Sequence, residues 1–204
     1  MELDIPRRDA LACRLKVETE IKLRLPEEVA ETRRKLRACG FRISRPRVFE
    51  SNILFDNFKR TLRKHGKILR VRQVDRHGLL TFKGPLEQGR YKKRWEIETR
   101  LHDTAALEAI LAHVGFHPVF RYEKFRTEYA ARSGGGKVLL DETPIGNFLE
   151  LEGSPGWIDR TARRLGFSPA DYISRSYGYL YLAYCRERRI RPKDMVFKKR
   201  RQPG

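Results

Sequence analysis

Alternate residues of VETEIKLRL (17–25) carry charge: Glu18, Glu20, Lys22 and Arg24 alternate with Val17, Thr19, Ile21, Leu23 and Leu25. The same two-step pattern recurs down the chain. KILRVRQ sets Arg70 and Arg72 against Leu69 and Val71, and LLTFKG sets Thr81 and Lys83 against Leu80 and Phe82. RWEIETR sets Arg94, Glu96 and Glu98 against Trp95 and Ile97. EKFRTEY puts Lys124, Arg126 and Glu128 on one side, KVLLDE does so with Leu139 and Asp141, and NFLELEG with Glu150 and Glu152. Mg²⁺ and Mn²⁺ are hard ions that take carboxylate and phosphate oxygens together, while Arg and Lys hold the remaining phosphate oxygens. One ligand satisfies both signs: a metal–polyphosphate complex. Its phosphates would meet Lys22, Arg70, Arg72, Lys83, Lys124 and Arg126. Its metal would meet Glu18, Glu20, Glu150, Glu152 and Asp141.

That chemistry needs the charged sides to face one another. A two-residue period places alternate side chains on opposite faces of a strand. Strands are expected at 15–25, 47–56, 67–75, 79–84, 92–101, 121–130, 136–142 and 147–152, separated by short Gly- and Pro-bearing turns. Ser133 to Lys137, SGGGK, is one such hairpin turn, since it lacks the two-glycine spacing and the Ser or Thr of a phosphate-binding loop. For any single strand, a solvated face with cross-strand ion pairs is the simpler account. Taken together, nearly every strand is ionisable on one face, with few Ser, Thr, Asn or Gln there. The expected fold class is therefore α+β: a closed antiparallel barrel of about eight strands, charged inside, with helices packed outside. A barrel of that size leaves room for one small ligand.

Three stretches, LRACGF, LAHVGF and ARRLGF, share a helix-ending pattern in which a left-handed Gly is followed by an apolar residue that packs back. Helices should end near Gly40, Gly115 and Gly166. Pro26-Glu27-Glu28, Asp103 or Thr104, and Ser154-Pro155 supply their starts. A last helix is expected over about 175–190. His113 and His117 flank Gly115, so the helix has ended between them and they are read as surface or packing residues.

The chain has 204 residues and a formal net charge of +19, which favours anionic partners. Residues 186–204 hold nine Lys/Arg against two Asp/Glu and read as a flexible basic tail with weak polyanion contact. The expected organisation is an N-terminal arm over 1–13, a barrel domain over 14–185 and that tail. Cys13, Cys39 and Cys185 are too scattered for a disulfide framework or a thiolate metal site. With no apolar run that resembles a signal peptide or a membrane span, a cytoplasmic protein is expected.

The order ExExK (18–22), RxR (70–72), TFKG (81–84), RxExE (94–98), KxR (124–126), LLDE (139–142) and ExE (150–152) resembles the CYTH domain, or triphosphate tunnel metalloenzymes. The resemblance spans about residues 14–184, and its overall look is similar to bacterial proteins of the class IV adenylate cyclase type. It implies a triphosphate threaded through the barrel, with Mg²⁺ or Mn²⁺ bridging it to the ExE carboxylates. It implies catalytic roles for Lys22, Arg70, Arg72, Lys83, Lys124, Arg126 and Asp141. It adds Arg94 as a phosphate contact, and Glu96, Glu98 and Tyr177 as secondary candidates. The activity implied first is conversion of ATP to cyclic AMP and pyrophosphate. The alternative is a triphosphatase acting on thiamine triphosphate, tripolyphosphate or a nucleoside triphosphate. Relatives form dimers, so a homodimer is compatible with the resemblance. An alternative of another class is a non-catalytic polyphosphate or nucleic-acid binder driven by charge.

Overall fold

The structure is a computed structural model that describes residues 15–26, 28–87 and 89–198. The expected N-terminal arm (1–13), Glu27 of the first helix start and residues 199–204 of the tail lie outside the described residues. Eight strands form: β1 (Lys16–Arg24), β2 (Phe41–Asp56), β3 (Ile68–Val74), β4 (His77–Lys83), β5 (Lys92–Leu101), β6 (His117–Ala131), β7 (Gly136–Thr143) and β8 (Gly146–Gly153). They close into an antiparallel barrel in the order β1-β5-β4-β3-β2-β6-β7-β8, with β8 pairing back onto β1. Closure leaves no free sheet edge and fixes which face of every strand points inward.

All eight expected strands are present. β2 starts earlier than its sequence pattern, because register shifts between Ile43 and Val48 break the two-residue period there. Helices α1 (Val29–Ala38), α3 (Thr104–His113) and α4 (Pro155–Arg164) end as expected, with Gly40, Gly115 and Gly166 at φ +80°, +86° and +89°. Asp103 caps α3 by accepting the Ala106 N–H at 2.9 Å. α1 begins at Val29, after the Pro26-Glu27-Glu28 expected as its first turn, with Glu28 as its extended N-cap residue. A four-residue helix, α2 (Thr61–Lys64), is too short to leave a period in the sequence. Asp56 holds it by accepting the N–H groups of Asn57, Leu62 and Arg63. The last helix, α5, spans Tyr177–Glu187.

The apolar faces point outward beneath the helices. Ile21 and Leu23 of β1, Val138 and Leu140 of β7, and Leu149 and Leu151 of β8 pack with Leu36 of α1 and Trp157, Ile158 and Ala162 of α4. Leu107 and Leu111 of α3 cover Phe55, Val71 and Leu80. At one end the rule reverses: Tyr122 and Phe148 sit with Tyr177 of α5 and Met195 in a second apolar cluster. The tail expected to be flexible from Arg186 is thus ordered through Phe197. Arg186 and Glu187 finish α5. Met195 is buried and pairs with β6 through Met195 N–H to Arg121 C=O and Glu123 N–H to Met195 C=O, both at 2.9 Å. Its reason is the part of β6 that runs beyond the end of β7: those backbone groups need partners, and residues 194–197 supply them.

Candidate active site

Most of the charged faces are shielded from water, with Arg24 and Glu98 the exposed exceptions. Relative exposure is 4% at Glu20, 1% at Lys22, 0% at Glu50 and Asp141, and 6% at Arg126. Buried charges cost several kcal/mol each unless paired, and here they are paired across strands. The barrel register sets this up by placing Glu20 opposite Glu152 and Lys22 opposite Glu150 on β1 and β8, and Glu18 opposite Arg94 on β5. The result is a tunnel of about 240 Å³ lined by both signs of charge.

Toward the end away from α5, Glu18, Glu20 and Glu152 converge, each offering an oxygen within 4.8 Å of the others. Glu18 accepts from Lys83 at 2.8 Å and Glu152 pairs with Lys137 at 3.2 Å. Glu20 accepts from Lys22 at 2.9 Å and also from Lys92. Burial and the neighbouring Glu18 carboxylate raise the Glu152 pKa. At Glu20 burial acts in the same direction, but the Lys22 and Lys92 ammoniums outweigh it and hold the carboxyl well below its ordinary range. Three carboxylates crowded this closely, Glu20 and Glu152 buried and Glu18 half-buried, fit one hard divalent cation.

Nearer α5 lies a second group. Asp141 accepts from Lys124 at 2.8 Å, from two Arg126 nitrogens at 2.7 Å and from the Tyr177 hydroxyl at 2.7 Å. Glu150 is held by Lys22 at 2.9 Å and by Arg126. Asp141 and Glu150, expected among the metal ligands with Glu18, Glu20 and Glu152, lie in this second group, and among the described residues the carboxylates whose oxygens come within 4.8 Å of one another are Glu18, Glu20 and Glu152. The donors to Asp141 come from the neighbouring strand, where Arg126 of β6 lies opposite it in the register. Burial followed by the Asp141 charge keeps the Tyr177 phenol well above its usual range, so it is a fixed donor.

On the opposite wall Arg70 donates to Thr81 at 3.0 Å and faces Tyr122, while Arg72 donates to Asn52 at 3.0 Å and pairs with Glu50 at 3.4 Å. Lys83 bridges Glu18 and Glu96, at 2.8 and 2.6 Å. Arg94 is buried with its Nε and Nη1 unpartnered. Glu98 is the more open residue and accepts from Thr81 at 3.0 Å. Sequence reasoning missed Glu50, Asn52, Lys92 and Tyr122. Lys92 and Tyr122 share inward parity with Arg94 and Lys124, so two more steps along each strand would have found them. Glu50 and Asn52 were hidden because Val48 and Leu54 share their parity, leaving no charged alternation. Lys92 is half-buried, and desolvation lowers its pKa to about 8 against the pull of Glu20.

A family model described as the CYTH domain matches residues 16–177. An adenylate cyclase candidate of Methanocaldococcus jannaschii is 31% identical over 140 residues, covering 68% of this chain and 77% of that protein. Among solved structures, a protein of Pyrococcus horikoshii OT3 superposes with a TM-score of 0.69 at 26% identity, covering 82% of this chain and 99% of that one. An adenylyl cyclase candidate from Hippeastrum, in which triphosphatase activity is dominant, superposes with a TM-score of 0.60 at 16% identity, covering 82% and 96%. Among the described residues, no helix is long and apolar enough to cross a membrane.

Proposed function

The chain belongs to the CYTH domain family, and from that premise we propose that it is a metal-dependent enzyme that holds a triphosphate in its barrel and cleaves a phosphoanhydride bond. The observation that carries this is the convergence of Glu18, Glu20 and Glu152 beside a wall of inward lysines and arginines. Cations alone would bind any polyanion, and carboxylates alone would bind metal. The two together match a metal–triphosphate complex. Mg²⁺ or Mn²⁺ held by Glu18, Glu20 and Glu152 would supply charge neutralisation and polarisation of a phosphoryl oxygen. The chain's own residues do the rest. Lys22, Arg70, Arg72 and Lys83 exchange their present partners for phosphate oxygens, and Lys124 and Arg126 add phosphate contacts to the bonds that Asp141 accepts from them. Arg94, whose two buried nitrogens lack partners, gains acceptors. Asp141 and Tyr177 keep Arg126 and Lys124 in place. Catalysis of this kind rests on positioning and on stabilising developing charge.

Two observations bear on which bond breaks. Along β1 the order is Glu18, Glu20, Lys22, with Lys22 beside Ile173 just before α5. The roomy groove opens at the α5 end. An organic group seated there would leave the terminal phosphate at the carboxylate trio, which favours hydrolysis of that phosphate by water. The Hippeastrum neighbour's dominant triphosphatase activity supports this order. Cyclisation of ATP is the second reading, supported by the M. jannaschii relative's name. The test is purified protein with Mg²⁺ or Mn²⁺ and, separately, tripolyphosphate, ATP and thiamine triphosphate, with products resolved. Orthophosphate release is expected. Cyclic AMP with pyrophosphate from ATP would transfer the assignment to a cyclase. No turnover and no metal-dependent tripolyphosphate binding would remove both.

A further inference from the structure

The tunnel does not end at α5. A groove of about 830 Å³ opens beside it and shares Leu54, Ile68 and Phe120 with the tunnel lining. Its floor is apolar, with Phe55, Leu69 and Tyr181 among its residues. Its rim is basic: Arg60, Arg63 and Lys67 come from α2 and its flanks, and Lys193 comes from the docked C-terminal segment. The acids in the rim are already committed. Asp56 spends its oxygens on three backbone N–H groups, and Asp194 accepts the Arg121 N–H at 2.8 Å. Among the described residues, Arg63, Lys67 and Lys193 have no carboxylate at ion-pair distance. Arg47 and Arg45, on another face, find one at 2.8 and 3.6 Å.

The groove is far larger than the tunnel whose lining it shares, and its cations, Arg60, Arg63, Lys67 and Lys193, outnumber its carboxylates, Asp56 and Asp194. An uncharged organic group would use the floor and leave the rim unexplained. An anionic group would use both, because Arg and Lys bind phosphate oxygens through charge-assisted hydrogen bonds. Lys193 lies beyond the stretch that matches the family model. We propose that the groove binds the organic end of the substrate and that this end carries a phosphate of its own. The substrate class is then a triphosphate joined, through an apolar or aromatic body, to a further phosphate. This rests on the tunnel holding the triphosphate, as proposed above.

The experiment compares KM for four probes: tripolyphosphate, ATP, adenosine 3′-phosphate 5′-triphosphate and a 5′-triphosphorylated dinucleotide. The native protein should show a KM about tenfold lower for at least one of the last two than for ATP. A gain confined to the first assigns the groove to a small phosphorylated nucleotide; one confined to the second assigns it to an oligonucleotide end. In the Arg63→Gln/Lys67→Gln double variant the gap to ATP should close to within about twofold. Tripolyphosphate turnover and the melting temperature should stay unchanged, which shows that the tunnel is intact. Equal KM values for all three nucleotides in the native protein would overturn the inference, as would a gap that survives in the variant. If tripolyphosphate is neither turned over nor bound, the tunnel assignment itself has failed.

Discussion

The barrel holds two carboxylate clusters that look alike in sequence and differ in what they can do. At Glu18, Glu20 and Glu152 the partners are lysines, and a lysine ammonium is a single charge on a flexible stem. At Asp141 the partners include the planar fork of Arg126 and the Tyr177 hydroxyl, which is fixed from α5. The first cluster packs carboxylates against one another, and this pushes Glu152 up in pKa. The second surrounds one carboxylate with donors and leaves it nothing further to bind. Lysine partners can swing away to admit a cation, whereas an arginine fork and a fixed phenol hold their carboxylate more firmly. Residue type and strand parity do not distinguish the two. The neighbouring strand does.

The sharpest way to break this contrast is to remove charge from each cluster in turn. Glu18→Gln combined with Glu152→Gln should lower metal-dependent turnover by about 10³-fold or more. It should also abolish any rise in melting temperature on adding Mg²⁺ or Mn²⁺, while the metal-free protein melts within a few degrees of native. Turnover that survives would show that the trio is not the metal site. Asp141→Asn should act in the opposite sense. It strands Lys124 and Arg126 in a buried position and should cost about 3–5 kcal/mol of stability, read by denaturant unfolding. The metal-induced shift in melting temperature should persist. If that shift vanishes while stability holds, Asp141 belongs with the ligands after all.

A smaller effect sharpens the account of the scaffold. Burial pushes the Glu50 carboxyl up, but Arg72 and Lys124 outweigh it and hold the group well below the ordinary value of 4.5. A carboxylate depressed in the folded state contributes stability that is present above its unfolded pKa and is lost as pH falls through the folded one. Native stability should therefore decline as pH drops below about 4.5. In Glu50→Gln that acid limb should be shallower, from a lower starting stability at pH 7. Parallel limbs in the two proteins would show that Glu50 is not the group responsible.

Most of the strand faces were legible because a charged residue every second position is a strong signal when it recurs in seven segments. The helix ends were legible from Gly followed by Phe, because only a left-handed residue lets the chain turn there. The C-terminal segment was misjudged because its composition is that of a solvated tail. Its order comes from Met195 and from unpaired backbone on β6, neither of which leaves a local pattern. Glu50 was missed for a related reason: apolar Val48 and Leu54 flank it on the inward face of β2, where the barrel approaches the apolar cluster around α5.

By itself the sequence determined the strands, their inward sides, the helix ends and the mixture of carboxylates and cations that a metal–triphosphate complex requires. These follow from local periodicity and from the chemistry of each side chain. Tertiary structure alone decided which carboxylates meet each other and which meet arginines. That depends on register between strands distant in sequence, such as Glu20 opposite Glu152 and Arg126 opposite Asp141. A one-residue period error would have turned every charge outward, but no pattern within a strand can say which neighbour it will face.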